Sequence, residues 1–291
     1  MSLHRPLATF VATLALIGCT AEPSPDPGAD PATATLHVAL TDVDPLADGF
    51  VYEGWIIVDG APLTTGRFTV DGTSADITQT VDAADAEAAT AYVLTIEPEP
   101  DADPGPSAVH LVAGDLTSGA ASLTTGHEAA LGVDLDTVGG HYILETPSSS
   151  GVADDFDQGI WWLEMTANGP VSSLDLPTLP AGWTYEGWTV VDGMPTSTGT
   201  FDMADVADAD AGGPAAGPDA VPPFPGQDFV NPIMVLVGGA AVISVEPVPD
   251  TSDAPFALKP LIDGTIDDVP AGTSQSMDEA APLPTGSVTV Q

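Results

Sequence analysis

Apolar and polar residues alternate along many short stretches of this chain, and a period of two predicts strands rather than helices. Leu36-His37-Val38-Ala39-Leu40 begins the pattern. Phe50–Val58 reads as a longer strand, followed by the hairpin signal Asp59-Gly60 and a returning strand over 63–70. Ala91-Tyr92-Val93-Leu94-Thr95-Ile96 is rich in β-formers and reads as a buried strand. It stops at Glu97-Pro98-Glu99-Pro100, where proline removes ladder donors. Shorter strands are expected over 109–112 and 120–124. Residues 82–90 are mostly Ala, Asp and Glu, which fits either one or two helical turns or an acidic loop.

The alternation resumes over 141–147 and 159–165. These stretches predict a hairpin that is closed by an exposed acidic loop, 148–158, and completes the first sheet. Adjacent Trp161 and Trp162 point to opposite faces of a strand, so one ring enters the core and the other either covers a domain interface, the reading preferred, or forms an exposed binding surface. Further strand signals lie over 174–179, 240–245 and 257–262, and Gly286-Ser287-Val288-Thr289-Val290 closes the chain. Residues 202–232, a low-complexity run of Asp, Ala, Gly and Pro, read as a mobile surface excursion.

One phrase occurs twice. Tyr52-Glu53-Gly54-Trp55-Ile56-Ile57-Val58-Asp59-Gly60 returns, 133 positions later, as Tyr185-Glu186-Gly187-Trp188-Thr189-Val190-Val191-Asp192-Gly193. Agreement continues through Pro62, Thr65, Gly66 and Phe68 against Pro195, Thr198, Gly199 and Phe201, and Ile96-Glu97-Pro98 answers Val245-Glu246-Pro247. A repeat at this spacing marks duplicated domains rather than a solenoid, whose units are far shorter. Many short strands joined by turns point to sandwiches and not to a βαβ sheet. The expected fold is all-β, with two tandem β-sandwich, immunoglobulin-like domains: 34–167, including the connecting hairpin, and 168–291.

The start of the chain sets the compartment. A short basic stretch, 1–5, precedes an apolar run over 7–18 that is too short to span a bilayer but suits a signal-peptide core. Leu16-Ile17-Gly18-Cys19 resembles a bacterial lipobox, whose cysteine is acylated after cleavage. The expectation is a lipoprotein signal peptide over 1–18, lipidation of Cys19 and a stiff, Pro-rich tether over 19–33. Several acyl chains together anchor stably. The predicted location is the cell envelope, lipid-anchored and extracytoplasmic, on the plasma or outer membrane; Thr20 permits outer-membrane sorting. Cys19 is the one cysteine, which excludes an intramolecular disulfide and a multi-cysteine zinc site.

Charge narrows the function further. Asp and Glu number 43 against three bases, Arg5, Arg67 and Lys259, for a net charge of −40. Such a surface repels nucleic-acid phosphates, which need clustered Lys and Arg, so no nucleic acid is expected as a partner. The acids serve first as a solubilising coat. Loop clusters at Glu99, Asp101 and Asp103, at Asp154, Asp155 and Asp157, and at Asp202, Asp205, Asp208 and Asp210 offer the hard oxygens that calcium prefers. None has the EF-hand order, and no metal site is assigned.

No nucleophile elbow, His-Glu-x-x-His or phosphate-cradling glycine loop occurs, so no catalytic residue and no cofactor is expected. His37, His110 and His141 fall in strand-like stretches as structural or surface residues. Glu53 and Glu186, with Glu97 and Glu246, allow two readings. They are paired acids or ligands, or they accept hydrogen bonds that fix nearby turns. The second is adopted.

The repeated residues resemble a known family. Tyr52, Trp55, Asp59-Gly60, Pro62, Gly66, Phe68 and Glu97-Pro98, then Tyr185, Trp188, Asp192-Gly193, Pro195, Gly199, Phe201 and Glu246-Pro247, are similar to the extracytoplasmic C-terminal domain of the anti-sigma-K factor family. The likeness covers most of 36–116 and of 174–261. It implies a β-sandwich, an envelope location and a sensing or binding role without catalytic residues. Family anti-sigma factors carry a sigma-binding region and a transmembrane helix before this domain, where this chain has a lipobox and spacer. It is therefore not expected to hold a sigma factor across a membrane. The expected function is that of a non-enzymatic bacterial envelope lipoprotein with a binding or structural role. Its partners are the membrane, through Cys19, and either an envelope protein or a calcium ion. An accessory sensor in anti-sigma-linked envelope stress regulation is the alternative.

Overall fold

The computed structural model describes residues 32–250 and 252–291. The signal segment 1–18, Cys19 and all but the last two residues of the tether 19–33 lie outside the described residues. With 45 % strand and 5 % helix the chain is all-β. The first strands are β1 (Thr33–Thr41), β2 (Phe50–Val58), β3 (Ala61–Phe68) and β4 (Ser74–Asp82). A short helix, α1 (Ala83–Ala88), leads to β5 (Ala91–Pro98), β6 (His110–Asp115) and β7 (Ala120–Thr124). A middle group follows: β8 (Gly139–Leu144), β9 (Gly159–Trp161), β10 (Leu163–Thr166), β11 (Gly169–Ser172) and β12 (Leu174–Asp175). The last group is β13 (Trp183–Val191), β14 (Met194–Phe201), β15 (Gly226–Asp228), β16 (Ala240–Pro247), β17 (Leu261–Asp263), β18 (Gln275–Ser276) and β19 (Thr285–Val290).

Alternation decides which faces are buried. In β1, Ala34, Leu36, Val38 and Leu40 point into the core while their neighbours face outward. β1 lies in an eight-stranded antiparallel sheet of order β3-β2-β5-β6-β7-β19-β1-β4. The sheet curls until its outer strands meet through side chains: Thr65 of β3 donates to Gln79 of β4 at 2.7 Å, and Gln79 Nε2 donates to the Gly66 carbonyl at 3.0 Å. β4 is an edge strand whose Ala75, Ile77 and Val81 pack against the core on the face that also buries Gln79. Of the two alternatives for 82–90, the helix forms, with the Asp82 carboxylate accepting from Ala84 N at 2.8 Å as its N-cap.

Around β13 the chain builds a four-stranded sheet of order β14-β13-β16-β17, the same arrangement as β3-β2-β5-β6. Tyr52 opposes Phe68 as Tyr185 opposes Phe201, and both registers shift at the phrase's glycine. Both hairpins turn on an Asp-Gly pair with positive φ, 51° and 78° at Asp59 and Gly60, 53° and 77° at Asp192 and Gly193.

Three features differ from the sequence expectations. The hairpin of β8 and β9 forms a separate sheet, β12-β8-β9-β15, with β18 also on β8, instead of completing the first sheet. β19 passes between β7 and β1, pairing Val38 with Val288, so the end of the chain lies in the sheet that its beginning builds. Residues 202–232 are packed and not an excursion: Ala215 and Phe229 enter the core, and β15 pairs with β9. Both tryptophans are buried as a result. Trp162 joins the main core beside Tyr142, while Trp161 packs with Ile143 and Leu163 under Val221 and Phe224. Residues 32–291 make one compact unit.

Candidate functional site

The repeated phrase places the same side chains twice. Tyr52 stacks on Phe68 with ring centroids 5.8 Å apart, and its hydroxyl donates to the Asp44 carbonyl at 2.7 Å. Tyr185 stacks on Phe201 at 5.7 Å and donates to the Pro177 carbonyl at 2.7 Å. Each tyrosine thus ties its strand to the segment that precedes it. The glycine that follows the glutamate is required by close approach. A Cβ on Gly54 would lie 2.1 Å from the Tyr92 hydroxyl, and one on Gly187 would lie 2.6 Å from Trp162 Nε1.

Tryptophan and glutamate then join in a buried relay. Trp55 Nε1 donates to Thr95 Oγ1 at 2.9 Å, and that hydroxyl donates to Glu97 Oε1. Ser107 N also donates to Glu97 Oε1, at 2.8 Å, fastening the loop between β5 and β6. On the other side Trp188 Nε1 donates to Ser244 Oγ at 2.8 Å, Ser244 donates to Glu246 Oε1, and Phe256 N donates to the same oxygen at 2.9 Å. Glu97 and Glu246 are each 1 % exposed. Both acids serve as acceptors that pin a returning loop, which fits the structural reading of the Glu-Pro strand ends.

The phrase's own acids begin alike and then diverge. Thr64 Oγ1 donates to Glu53 Oε1 at 2.5 Å, and Ser197 Oγ donates to Glu186 Oε1. Glu53 Oε2 accepts from Arg67 Nε at 2.8 Å, and the same guanidinium reaches Glu99 at 3.1 Å and Asp101 at 2.8 Å. Glu186 Oε2 is buried with no donor. Burial pushes the Glu186 carboxyl up to about 7; the Ser197 bond opposes this, and Asp250 and Asp210 add to it. Glu246 is also pushed by burial to about 7, against its Ser244 and Phe256 bonds, and Asp250 and Glu186 raise it further. Asp208, 8 % exposed, follows: burial takes it to about 7 although Gly226 N donates to it at 2.8 Å.

A third polar node fastens residues 202–232 to the β8–β9 hairpin. Fully buried Asp228 accepts from Ser148 N at 2.8 Å, from Ser148 Oγ at 2.5 Å and from Trp161 Nε1 at 2.8 Å. Burial raises its pKa, and these three donors pull it back. Asp155 accepts from Thr146 Oγ1 at 2.9 Å and from Ser149 inside the same hairpin loop. That loop is therefore only partly exposed.

The three loop clusters read from the sequence have separate fates in the fold. Glu99 and Asp101 share Arg67, Asp155 is turned inward, and Asp208 separates from exposed Asp202 and Asp205. Among the described residues no three His, Cys, Asp or Glu side chains are grouped so as to hold a metal ion. The histidines lie apart: His37 by Thr78, His110 on the Ala129 carbonyl at 2.9 Å, His141 on Glu164 at 3.2 Å. A cleft of about 790 Å³ lies between residues 124–136 and 281–285; its acids are Asp134 and Asp136, and Asp134 accepts from Asp136 N at 2.9 Å. No helix among the described residues is long and apolar enough to cross a membrane. The sequence reading missed the Asp228 node and the divergence of Glu186 from Glu53. The second had a visible signal, Arg67 in one phrase against Thr200 in the other.

Comparison with known proteins adds one finding. No curated protein and no solved structure matches the chain. The family model described as anti-sigma-K factor rskA, C-terminal, matches residues 29–110, under a third of the chain. That span takes in the first phrase, Arg67 and Glu97, and a domain of this family is generally regulatory and not an enzyme. The first β region of this chain is thus similar to the C-terminal domain of anti-sigma-K factors.

Proposed function

We propose that the chain is a non-enzymatic cell-envelope lipoprotein, anchored through Cys19, with a binding or structural role. In this reading it holds two tandem immunoglobulin-like β-sandwich domains of the anti-sigma-K C-terminal kind, 34–167 and 168–291, with the last strand returning to the first sheet. The observation that carries it is the duplicated relay from tryptophan through a hydroxyl to a buried glutamate. Glu53 and Glu97, and one oxygen each of Glu186 and Glu246, accept internal bonds, as in a scaffold for surface contacts. The anchor is tested by metabolic labelling with palmitate: wild type incorporates label, Cys19→Ala does not, and equal labelling contradicts the proposal.

A second reading, an accessory sensor in anti-sigma-linked envelope stress regulation, is favoured by the family match over 29–110. Its expected mark is altered sigma-dependent transcription when the gene is deleted. Unchanged transcription under envelope stress removes it.

A further inference from the structure

The β8–β9 hairpin has two apolar faces, and only one of them belongs to the main core. Alternation sends Tyr142, Leu144 and Trp162 into that core and leaves Ile143, Trp161 and Leu163 as a small cluster of their own. Ile143 pairs with Trp161 across the strands, so their side chains stand together. Glu145 N donates to the Gly159 carbonyl at 3.3 Å, which continues the pleat and sets Glu145 two positions from Ile143 on this same face. Val221 and Phe224, from residues 202–232, cover part of the cluster. They leave a cleft of about 450 Å³ with Ile143, Trp161 and Leu163 at its base and Glu145 in its lining. That volume suits a small molecule.

The base of the cleft is rigid. Trp161 is 1 % exposed, and its Nε1 donates to Asp228 Oδ1 at 2.8 Å. The walls are apolar and more open: Met165 of β10 and Pro170 of β11 on one side, Val221 and Pro222 on the other. Met165 is 60 % exposed, and an unbranched thioether adapts to what it meets.

Glu145 is the exception among these residues. It is half-buried, and none of the ion pairs among the described residues includes it. Burial raises its pKa, and the charges of Asp228 and Asp155 raise it further, with no base acting against them. A neutral ligand filling the cleft would strip water from this carboxylate and give it no partner. An anion would add repulsion.

We propose that this cleft binds a small organic cation, a protonated amine on an apolar body, with Glu145 pairing the ammonium group and Met165, Pro170, Val221 and Pro222 enclosing the apolar part. This gives a ligand class to the binding role proposed above, and palmitate labelling at Cys19 tests that reading separately.

The test is calorimetric titration of the full chain at pH 7.5 and fixed ionic strength with three probes of similar shape: phenylbutylamine, phenylbutanol and phenylbutyrate. The amine binds at least ~10-fold more tightly than the alcohol, and the carboxylate binds more weakly than either. Glu145→Gln weakens the amine at least ~10-fold and leaves the alcohol's affinity unchanged, which also shows that the cleft is still formed. Asp76→Asn, exposed on β4, removes the same charge from another surface and changes neither affinity. Three results overturn the proposal: the amine binds no more tightly than the alcohol, its advantage survives Glu145→Gln, or Asp76→Asn weakens it as much as Glu145→Gln does.

Discussion

The repeated phrase works because of what its glycine lacks. Gly54 leaves room for the Tyr92 hydroxyl and Gly187 for the Trp162 indole, so the residue between glutamate and tryptophan is a contact surface for a buried aromatic. Gly187→Ala is expected to destabilise by roughly 1–3 kcal/mol through overpacking. Gly193 is the contrasting case, with nothing within 4 Å of a Cβ but a φ of 77°. Gly193→Ala should therefore cost only the left-handed backbone penalty, about 1–2 kcal/mol. Urea denaturation of the two variants measures both. A neutral Gly187→Ala would show that the close approach is not needed.

Strand patterns were readable at the scale of single elements, whereas partners were not. Alternation in 36–40 marks one buried face, and that face became β1, whereas the β-formers of 50–58 and 91–96 became β2 and β5, which are buried on both faces at their centres. Nothing local says that Val288 pairs with Val38, because the two ends of a chain share no pattern. The run 202–232 misled for a physical reason. Its Gly, Ala and Pro looked like low complexity, yet small residues let backbone approach backbone: a Cβ on Gly217 would lie 2.4 Å from the Ser148 carbonyl oxygen. β19 gives the sharpest test at this scale. Val288 is fully buried, and Val288→Ala is expected to cost about 1.5–3 kcal/mol. Removing residues 285–291 leaves β1 and β7 unpaired along one edge, so the thermal transition should broaden and move down. An unchanged melt would mean that β19 is peripheral.

For the whole molecule, a net charge of −40 makes every uncompensated buried acid a liability. Glu186 and Glu246 rise from 4.5, and Asp208 from 3.8, to about 7 in the folded chain. A carboxyl whose folded pKa is raised favours the folded state when protonated. Its contribution is fully present below about pH 4 and is lost as pH rises through about 7. The protein is therefore expected to lose stability between pH 4 and pH 7. Self-repulsion among surface acids acts in the same direction, so the slope alone does not identify the cause. Glu186→Gln should flatten it, whereas Asp154→Asn should not.

The difference between the networks was written in the sequence as Arg67 against Thr200. Its meaning depended on Asp208 and Asp210 folding over Gly199, which no local pattern announced. The central claim is that the second phrase buries its glutamate without a counter-charge. Carboxyl carbon-13 NMR of the chain labelled at glutamate tests it most directly, with the Glu186 resonance assigned by its loss in Glu186→Gln. The predicted result is a titration midpoint for Glu186 near 7. A midpoint in the ordinary carboxylate range, near 4.5, would contradict the account.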